Sequence, residues 1–478
     1  MKLYNNSDHF KLYEGNMLDM LEVIQPNSIE AIVTDPPYEL NFMGKGWDNS
    51  GIAFQAETWF KCYQVLKHGG YLLAFGGSRT YHRIACAIED AGFEIRDTIM
   101  WLYGSGFPKS MNIGKGIEAK LTTGSANTQD WKNLQGTKAA TGDWGLNKLC
   151  KEHGYRDTDY AADKHLRTVS VDYTTDEGKA WDGWGTALKP AYEPIIVARK
   201  PCEGSCIDNV LEHGVGGLNI DGCRIGSEER SYGGMSSKQP ENAGCFRDDG
   251  WQPKDIEVTV NGRYPSNVIL TYDETDKNEV TGGLPDTKSV FSMPNNEKTT
   301  SDMVVPFADH KSGIHYEDEG SAARYFYCAK ASKKDRDEGL DQFEYSQATD
   351  GNIRRNAEFA PNIRVVSALR RNTHPTVKPC ELMQYLVRLV TPKGGTVLDP
   401  FNGSGSTGKA CMYENRERQA GYKYIGIEIT PEYLPIAAAR ISYACGDGTP
   451  IIDSSGEKVA KGQMNIFELL GGNENGSV

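Results

Sequence analysis

The chain has 478 residues, a length at which two or three structural units are expected rather than one core. A hydrophobic fraction of 38% with 10% aromatics supports a packed interior, yet no run reaches the roughly 18 apolar residues of a membrane span. The net charge of −13 weighs mildly against a nucleic-acid partner, although such binding needs only a local basic surface.

Met1-Lys2-Leu3-Tyr4-Asn5 lacks the apolar stretch of a signal peptide. Residues 1–104 alternate strands and helices. A short buried strand over 28–34 ends at Asp35. Helical apolar spacing over 56–66 stops at His68-Gly69-Gly70, and a second strand occupies 71–75. A helix over 80–91 and a third strand over 94–101 follow. This β-α-β alternation predicts a parallel sheet covered on both faces.

Residues 105–184 are polar and weakly periodic, and read as a long excursion between sheet strands. A strand follows over 192–199, with Pro194 favouring an edge position. Residues 201–372 are irregular apart from strand candidates such as 266–270. That is too long for a structureless loop, so a separate module is expected. The α/β pattern returns at His374: a helix over 380–389, a strand over 395–399, a helix from Gly408, a strand over 424–429 and a helix over 431–443. The sheet is therefore assembled from both ends of the chain. Eleven cysteines, an odd number, scatter through the sequence and read as reduced cytosolic thiols rather than a disulfide framework.

Two segments carry chemistry. Asp399-Pro400-Phe401-Asn402-Gly403-Ser404-Gly405 closes one strand and opens a helix. Glycines let backbone approach a ligand, and the helix N-terminus presents N–H groups. Glu428, at the end of the next strand, is placed to accept both hydroxyls of a ribose. The run from Gly403 to Lys409 also matches the GxxxxGK phosphate loop of ATPases. Ala410 stands where that motif needs Ser or Thr for Mg²⁺, which counts against it.

The other segment is Asp35-Pro36-Pro37-Tyr38. An exocyclic amine is a poor nucleophile because its lone pair is delocalised into the ring. The Asp35 carboxylate and the Pro36 carbonyl can each accept one N–H, an arrangement that grows more favourable as positive charge develops on nitrogen. Pro36 and Pro37 stiffen the turn, and Tyr38 offers a stacking face for a base flipped out of its duplex.

Together these residues resemble the beta-class amino-group DNA methyltransferases of phage and bacterial type, in which the acceptor motif precedes the recognition region and the cofactor loop comes last. The resemblance spans roughly residues 10–104, 185–200 and 372–445. His374-Pro375-Thr376-Val377-Lys378-Pro379 looks like the family's motif beside the methionine end of the cofactor, and Glu14-Gly15-Asn16 like its adenine segment, where relatives usually carry Asp in place of Asn16. Gly44-Lys45-Gly46-Trp47-Asp48 looks like a mobile loop beside the flipped base.

The resemblance implies a Rossmann-like, circularly permuted sheet of seven strands, the last antiparallel and formed by 193–199. Its parts are a catalytic half (1–104), an insertion near DNA (105–184), the closing strand (185–200), a target-recognition region (201–371), a cofactor-binding half (372–445) and a flexible tail (446–478). It implies S-adenosylmethionine as cofactor, held by Asn16, Asp35, Thr376, Lys378, Asp399, Phe401, Gly403, Ser404, Gly405 and Glu428. Asp35, Pro36, Pro37 and Tyr38 would be catalytic, and double-stranded DNA the substrate.

Asp at the first acceptor position leans toward adenine N6. Cytosine N4, RNA, a protein amide and a non-catalytic DNA-binding protein are the other readings. Lys45, Trp47, Arg354, Arg355, Arg370 and Arg371 are candidate DNA contacts, against a plain solvated loop. Arg224, Arg263, Lys333, Lys334 and Arg336 carry weaker expectations of phosphate contact. Cys202, Cys206, Cys223 and Cys245 with His213 have spacings unlike common zinc sites, so isolated thiols and no metal are expected. Gln463-Met464-Asn465-Ile466-Phe467 is similar to the peptide by which bacterial proteins bind the sliding clamp; docking of Ile466 and Phe467 on the protein's own surface weighs more. A homodimer is a family expectation.

Overall fold

A computed structural model describes residues 2–40, 46–103, 110–126, 173–233, 257–272, 284–290, 317–330, 333–343, 346–347 and 369–446. The chain divides into two units: Met1–Gly104 with Tyr192–Ser346 and Arg370–Val478, and Ser105–Ala191 with Gln347–Leu369. The expected clamp peptide at 463–467 lies outside the described residues.

The first unit is built on one ten-stranded sheet. In chain order its strands are β1 (Lys2–Asn6), β2 (Phe10–Glu14), β3 (Ile29–Thr34), β4 (Leu66–Phe75), β5 (Glu94–Leu102), β6 (Tyr192–Arg199), β7 (Val268–Tyr272), β8 (Tyr327–Lys330), β9 (Thr396–Asp399) and β10 (Lys423–Glu428). Their spatial order is β1-β2-β10-β9-β3-β4-β6-β5-β7-β8. The inner seven, β2 to β5 in that order, are the expected methyltransferase sheet, with β6 antiparallel to both β4 and β5. Three more strands extend its two edges.

Helices cover both faces: α1 (Met17–Leu21), α2 (Ala56–Val65), α3 (Tyr81–Asp90), α4 (Cys206–His213), α5 (Lys333–Asp337), α6 (Cys380–Val390), α7 (Ser406–Arg418) and α8 (Leu434–Cys445). Strand side chains alternate between them, except where an irregularity between Ile29 and Ala31 turns Ile29 to the other face. Ala31 and Val33 of β3 join α6, α7 and α8, whereas Ile29 and Ile32 join α1, α2 and α3. Helix α6 buries Leu382, Met383, Tyr385, Leu386, Val387, Leu389 and Val390, each side chain contributing roughly 1.5–3 kcal/mol if fully removed from water.

Three expectations are corrected. Helix α2 stops at Val65 rather than at the glycines, and β4 runs through His68-Gly69-Gly70. Gly69 adopts φ +78°, and a Cβ there would lie 2.2 Å from Asn209 Nδ2, so glycine lets α4 pass close over the strand. Pro194 sits in an interior strand rather than at an edge. Its carbonyl accepts the Gly76 N–H at 2.9 Å, just beyond the last β4 pair, Phe75–Ile195. The missing N–H faces that same side, where the ladder has already ended. Finally, residues 201–371 are not wholly a separate module, because β7 pairs parallel with β5 and β8 pairs parallel with β7 inside the main sheet.

The second unit contains the helices Ile113–Thr123 and Asp176–Ala180. The buried Glu118 carboxylate accepts the N–H groups of Thr174 and Thr175 at 2.8 and 3.1 Å, and both of their hydroxyls. Burial opposes ionisation, yet these four bonds hold the carboxyl down to about 2. Among the described residues no helix is long and apolar enough to cross a membrane.

Gly408 lies where α7 crosses β10 and α8. A Cβ there would stand 2.5 Å from Tyr424 Cε1 and 2.6 Å from Ile441 Cδ1. Gly408→Ala is expected to cost about 1–3 kcal/mol through overpacking, and a lowered melting temperature in a thermal unfolding scan is the check.

Candidate active site

The parallel strands β9 and β3 are neighbours, paired through Val397–Ala31 and Leu398–Ile32. From β9 the chain proceeds to β10 on one side; from β3 it proceeds to β4 on the other. A crevice opens where such connections diverge, at the carboxyl ends of the strands. Both predicted motifs begin there.

One carboxylate fixes their juxtaposition. Asp399 Oδ1 accepts the Thr34 hydroxyl at 2.6 Å and the Phe401 N–H at 3.1 Å, while Oδ2 accepts the Thr407 hydroxyl at 2.7 Å. Burial pushes its carboxyl up to about 6 against these bonds. Asp399 was expected to hold cofactor; its oxygens are instead engaged in joining β3, β9 and α7.

On the acceptor side, Asp35 Oδ2 accepts the Lys378 ammonium at 2.6 Å, and Asp35 Oδ1 is buried with no hydrogen-bond partner. Tyr38 donates its hydroxyl to Glu193 Oε2 at 2.9 Å, and the same oxygen lies 3.5 Å from Lys378 Nζ. Lys378 stands 5.3 Å from the Tyr38 ring centre and 5.0 Å from that of Phe75, within cation–π range. Burial raises the Asp35 carboxyl above the ordinary carboxylate range; Lys378 pulls it down and Glu193 pushes it up. Burial works to lower the Lys378 ammonium, but Asp35 and Glu193 outweigh it and hold it above the ordinary lysine value.

Lys378 was expected at the cofactor and lies on the Asp35 carboxylate. Glu193 was read only as part of a strand. Its approach to Tyr38 spans 155 residues of sequence and left no local signal.

The motif is held from behind. The Tyr38 carbonyl accepts the Thr80 hydroxyl at 2.8 Å. Glu39 takes φ +54°, costly for a residue with a Cβ. Its N–H is bound by Asp48 Oδ1 at 2.9 Å and that of Leu40 by Oδ2 at 3.2 Å. The buried Asp48 therefore pins one end of the segment expected to be a mobile loop. Lys45 and the Trp47 side chain lie outside the described residues.

On the cofactor side, Glu428 is 6% exposed, and its oxygens accept the Gly403 and Thr430 N–H groups at 2.7 and 2.8 Å. Burial pushes its carboxyl up to about 7. The Thr430 hydroxyl also reaches this carboxylate, which keeps acceptor capacity for a further donor. Gly403 has φ +52°, and a Cβ there would meet His374 Nε2 at 2.9 Å, so only glycine brings backbone that close. Phe401 is partly buried against Trp59, ring centres 6.4 Å apart.

Other predicted cofactor residues have different duties. Ser404 offers its hydroxyl and carbonyl to buried Arg440, at 3.0 and 2.6 Å. Gly405 caps α7 with φ +74°, and a Cβ there would lie 3.0 Å from Ala437 Cβ and from Ile441 Cδ1. Asn16 caps α1, its Oδ1 accepting the Leu18 N–H at 3.0 Å. An Asp would make the same cap, which accounts physically for either residue there. Thr376 is exposed, its N–H directed to His374 Nδ1 at 3.4 Å.

The ATPase alternative fails on Lys409. That side chain is fully buried and paired with Asp335 and Glu338 at 2.5 and 2.8 Å. It has no path to a phosphate.

Of the DNA-contact candidates, Arg371 pairs with Asp341 at 2.5 Å; Arg354, Arg355 and the Arg370 side chain lie outside the described residues. Arg224 pairs with Asp221, and Arg263 is buried and donates to the Arg324 carbonyl. Arg336 donates to the His374 carbonyl, and the side chains of Lys333 and Lys334 lie outside the described residues. Cys202 and Cys206 approach to 3.7 Å, with Cys206 Sγ 3.1 Å from Arg199 Nη1. Cys223 is buried against the Tyr385 carbonyl, and Cys245 is outside the described residues. His213 pairs with Glu203 rather than with a thiol.

The sequence profile of the N6_N4_Mtase family, DNA methylase, matches residues 29–439. The chain belongs to this family. DNA methylases of the family depend on S-adenosylmethionine. The chain is 38% identical over 239 residues to the type II methyltransferase M2.LlaDCHI of Lactococcus lactis subsp. cremoris, covering 45% of this chain and 82% of that protein. It is 44% identical over 68 residues to the type II methyltransferase M.XycI of Xanthomonas campestris pv. cyanopsidis, and 31% identical over 131 residues to M.Cfr9I of Citrobacter freundii. These matches take in 14% and 27% of this chain and span only 21% and 35% of those two relatives. Among solved structures, the cytosine-N4-specific PvuII DNA methyltransferase aligns with 97% of this chain and 99% of that chain, at 13% identity and a TM-score of 0.39.

Gly403, Phe401 and Glu428 fit such a cofactor. Gly403 seats the loop backbone close against His374 and donates its N–H to Glu428, and the buried carboxylate keeps acceptor capacity suited to ribose hydroxyls. Because Glu428 is pushed up to about 7, it takes a proton as pH falls below that value and then accepts one hydroxyl less well. S-adenosylmethionine affinity of this protein should therefore weaken by up to about tenfold per unit below pH 7. Calorimetry across pH is the check; Glu428→Gln should bind weakly and without that pH dependence.

Proposed function

We propose that this protein is an S-adenosylmethionine-dependent DNA methyltransferase that modifies the exocyclic N6 of adenine within a specific duplex sequence, acting on a base flipped out of the helix. The observation that carries this reading is the buried, unpartnered Asp35 Oδ1. Its neighbour Oδ2 is already held by Lys378. The Pro36 carbonyl also has no hydrogen-bond partner among the described residues. Two acceptors on a rigid Pro-Pro turn suit the two hydrogens of an amino group.

S-adenosylmethionine supplies an electrophilic methyl group when bound. The chain's own residues do the rest. Asp35 and the Pro36 carbonyl draw hydrogen bonds from the amine and localise its lone pair, and their benefit grows as nitrogen becomes positive. Tyr38 provides a face for the flipped base, a contact typically worth roughly 1–3 kcal/mol. Glu428 and Gly403 hold the nucleoside end of the cofactor. Asp, rather than Ser, at the first acceptor position supports adenine over cytosine.

Nucleoside mass spectrometry of unmethylated duplex DNA incubated with the protein and methyl-labelled cofactor tests the reading. N6-methyladenosine is expected. N4-methylcytosine would overturn the base assignment while keeping the chemistry, and no methylated nucleoside with cofactor bound would overturn the activity on DNA. Asp35→Ala should lower the rate by about 10²–10³-fold, comparable to loss of a preorganised transition-state contact, with cofactor affinity retained.

A further inference from the structure

We propose that Lys378 and Glu193 are positioning residues of the acceptor site, which together set the charge and direction of the Asp35 carboxylate and the tilt of Tyr38. The proposal rests on the methyltransferase reading and deepens it.

The geometry is a closed circuit. Lys378 Nζ occupies Asp35 Oδ2 at 2.6 Å, which leaves Oδ1 as the oxygen available to an incoming N–H. Glu193 Oε2 lies 3.5 Å from the same ammonium and accepts the Tyr38 hydroxyl at 2.9 Å. The base-stacking ring and the amine acceptor are thus tied to one cation–anion pair. Lys378 is 7% exposed along its side chain, and Asp35 and Glu193 are each 21% exposed, so screening by water is weak.

This arrangement answers a physical difficulty. A carboxylate at the mouth of a base pocket is desolvated and tends to take a proton, and a protonated Asp35 offers a poorer acceptor. Lys378 counters that tendency with a full charge. Glu193 opposes Lys378 electrostatically but anchors Tyr38. The charged and titratable groups facing Asp35 are Lys378, Glu193 and Tyr38, with Asp399 behind it; Glu193 in turn faces Tyr103.

The two residues therefore act on Asp35 with opposite sign. Removing the Lys378 charge leaves the carboxyl facing burial and Glu193, so it ionises at higher pH. Removing the Glu193 charge leaves Lys378 unopposed, so it ionises at lower pH. A residue needed only for packing would move neither.

The test is single-turnover methyl transfer from labelled S-adenosylmethionine to unmethylated bacterial genomic DNA, as a function of pH, for the full-length wild type, Lys378→Met, Lys378→Arg and Glu193→Gln, with cofactor affinity measured alongside. The acidic limb of the rate profile should move up by roughly one unit or more in Lys378→Met, move down in Glu193→Gln, and stay near wild type in Lys378→Arg, with cofactor affinity unchanged in all three. Limbs that stay in place, or that move together in both charge-removing variants, would overturn the proposal while the wild-type signal keeps the methyltransferase reading intact. A wild type that binds cofactor yet methylates no DNA would overturn that reading and this inference with it.

Discussion

The site depends on a single buried carboxylate. Asp399 receives the hydroxyls of Thr34 and Thr407 and the Phe401 N–H, and so joins the end of β3, the end of β9 and the first turn of α7. Thr34 and Asp399 are 365 residues apart. Together with the β3–β9 pairing, their bond fixes the Asp35-Pro36-Pro37-Tyr38 turn beside the Gly403–Gly405 loop. Closing a loop of that size costs chain entropy that grows only logarithmically with length, so the separation itself is tolerable. What the fold cannot tolerate is an unpaired buried carboxylate, and the two threonines remove that penalty by serving as the joint.

From that joint the two halves of the site diverge in character. On the Glu428 side, backbone N–H groups satisfy the carboxylate and glycine removes bulk, so the half is shaped by main chain. On the Asp35 side, side chains of opposite charge balance one another around a rigid turn. The first arrangement suits recognition of a ligand that does not change. The second suits an atom whose charge changes during reaction, because a charge pair held in low dielectric responds strongly to a nearby developing charge.

How much of this was legible in the sequence follows from the range of each interaction. Six of the seven inner strands, all but β2, and the helices α2, α3 and α6 were readable because alternation and helical spacing are local. The motif turns were readable because prolines and glycines dictate backbone within a few residues. The edge strand β8 was not, since four residues of mixed polarity gain their place only by pairing with β7. Pro194 misled for a related reason: its tolerance depends on where β4 happens to end. Glu193 and the true position of Lys378 were invisible because each acts on residues more than 150 positions away. The Asn16 cap and the inward turn of Ser404 were assigned to ligand on motif position, where the folded chain uses them for itself.

The run from Gly403 to Lys409 shows the same limit from the other side. Its letters fit a phosphate loop, and no argument from spacing alone separates the two readings. Burial does. A phosphate-binding lysine must present its ammonium to a ligand that arrives from water, whereas Lys409 is sealed beneath Asp335 and Glu338, beside fully buried Arg440. Two buried cations facing two carboxylates form a cluster in which each charge is compensated only while all stay in place. Gly408 is needed there for contact with Tyr424 and Ile441, and not for approach to an anion. The same glycines that would cradle phosphate in one fold here let α7 settle against β10 and α8, and it is this close seating that brings Thr407 to Asp399.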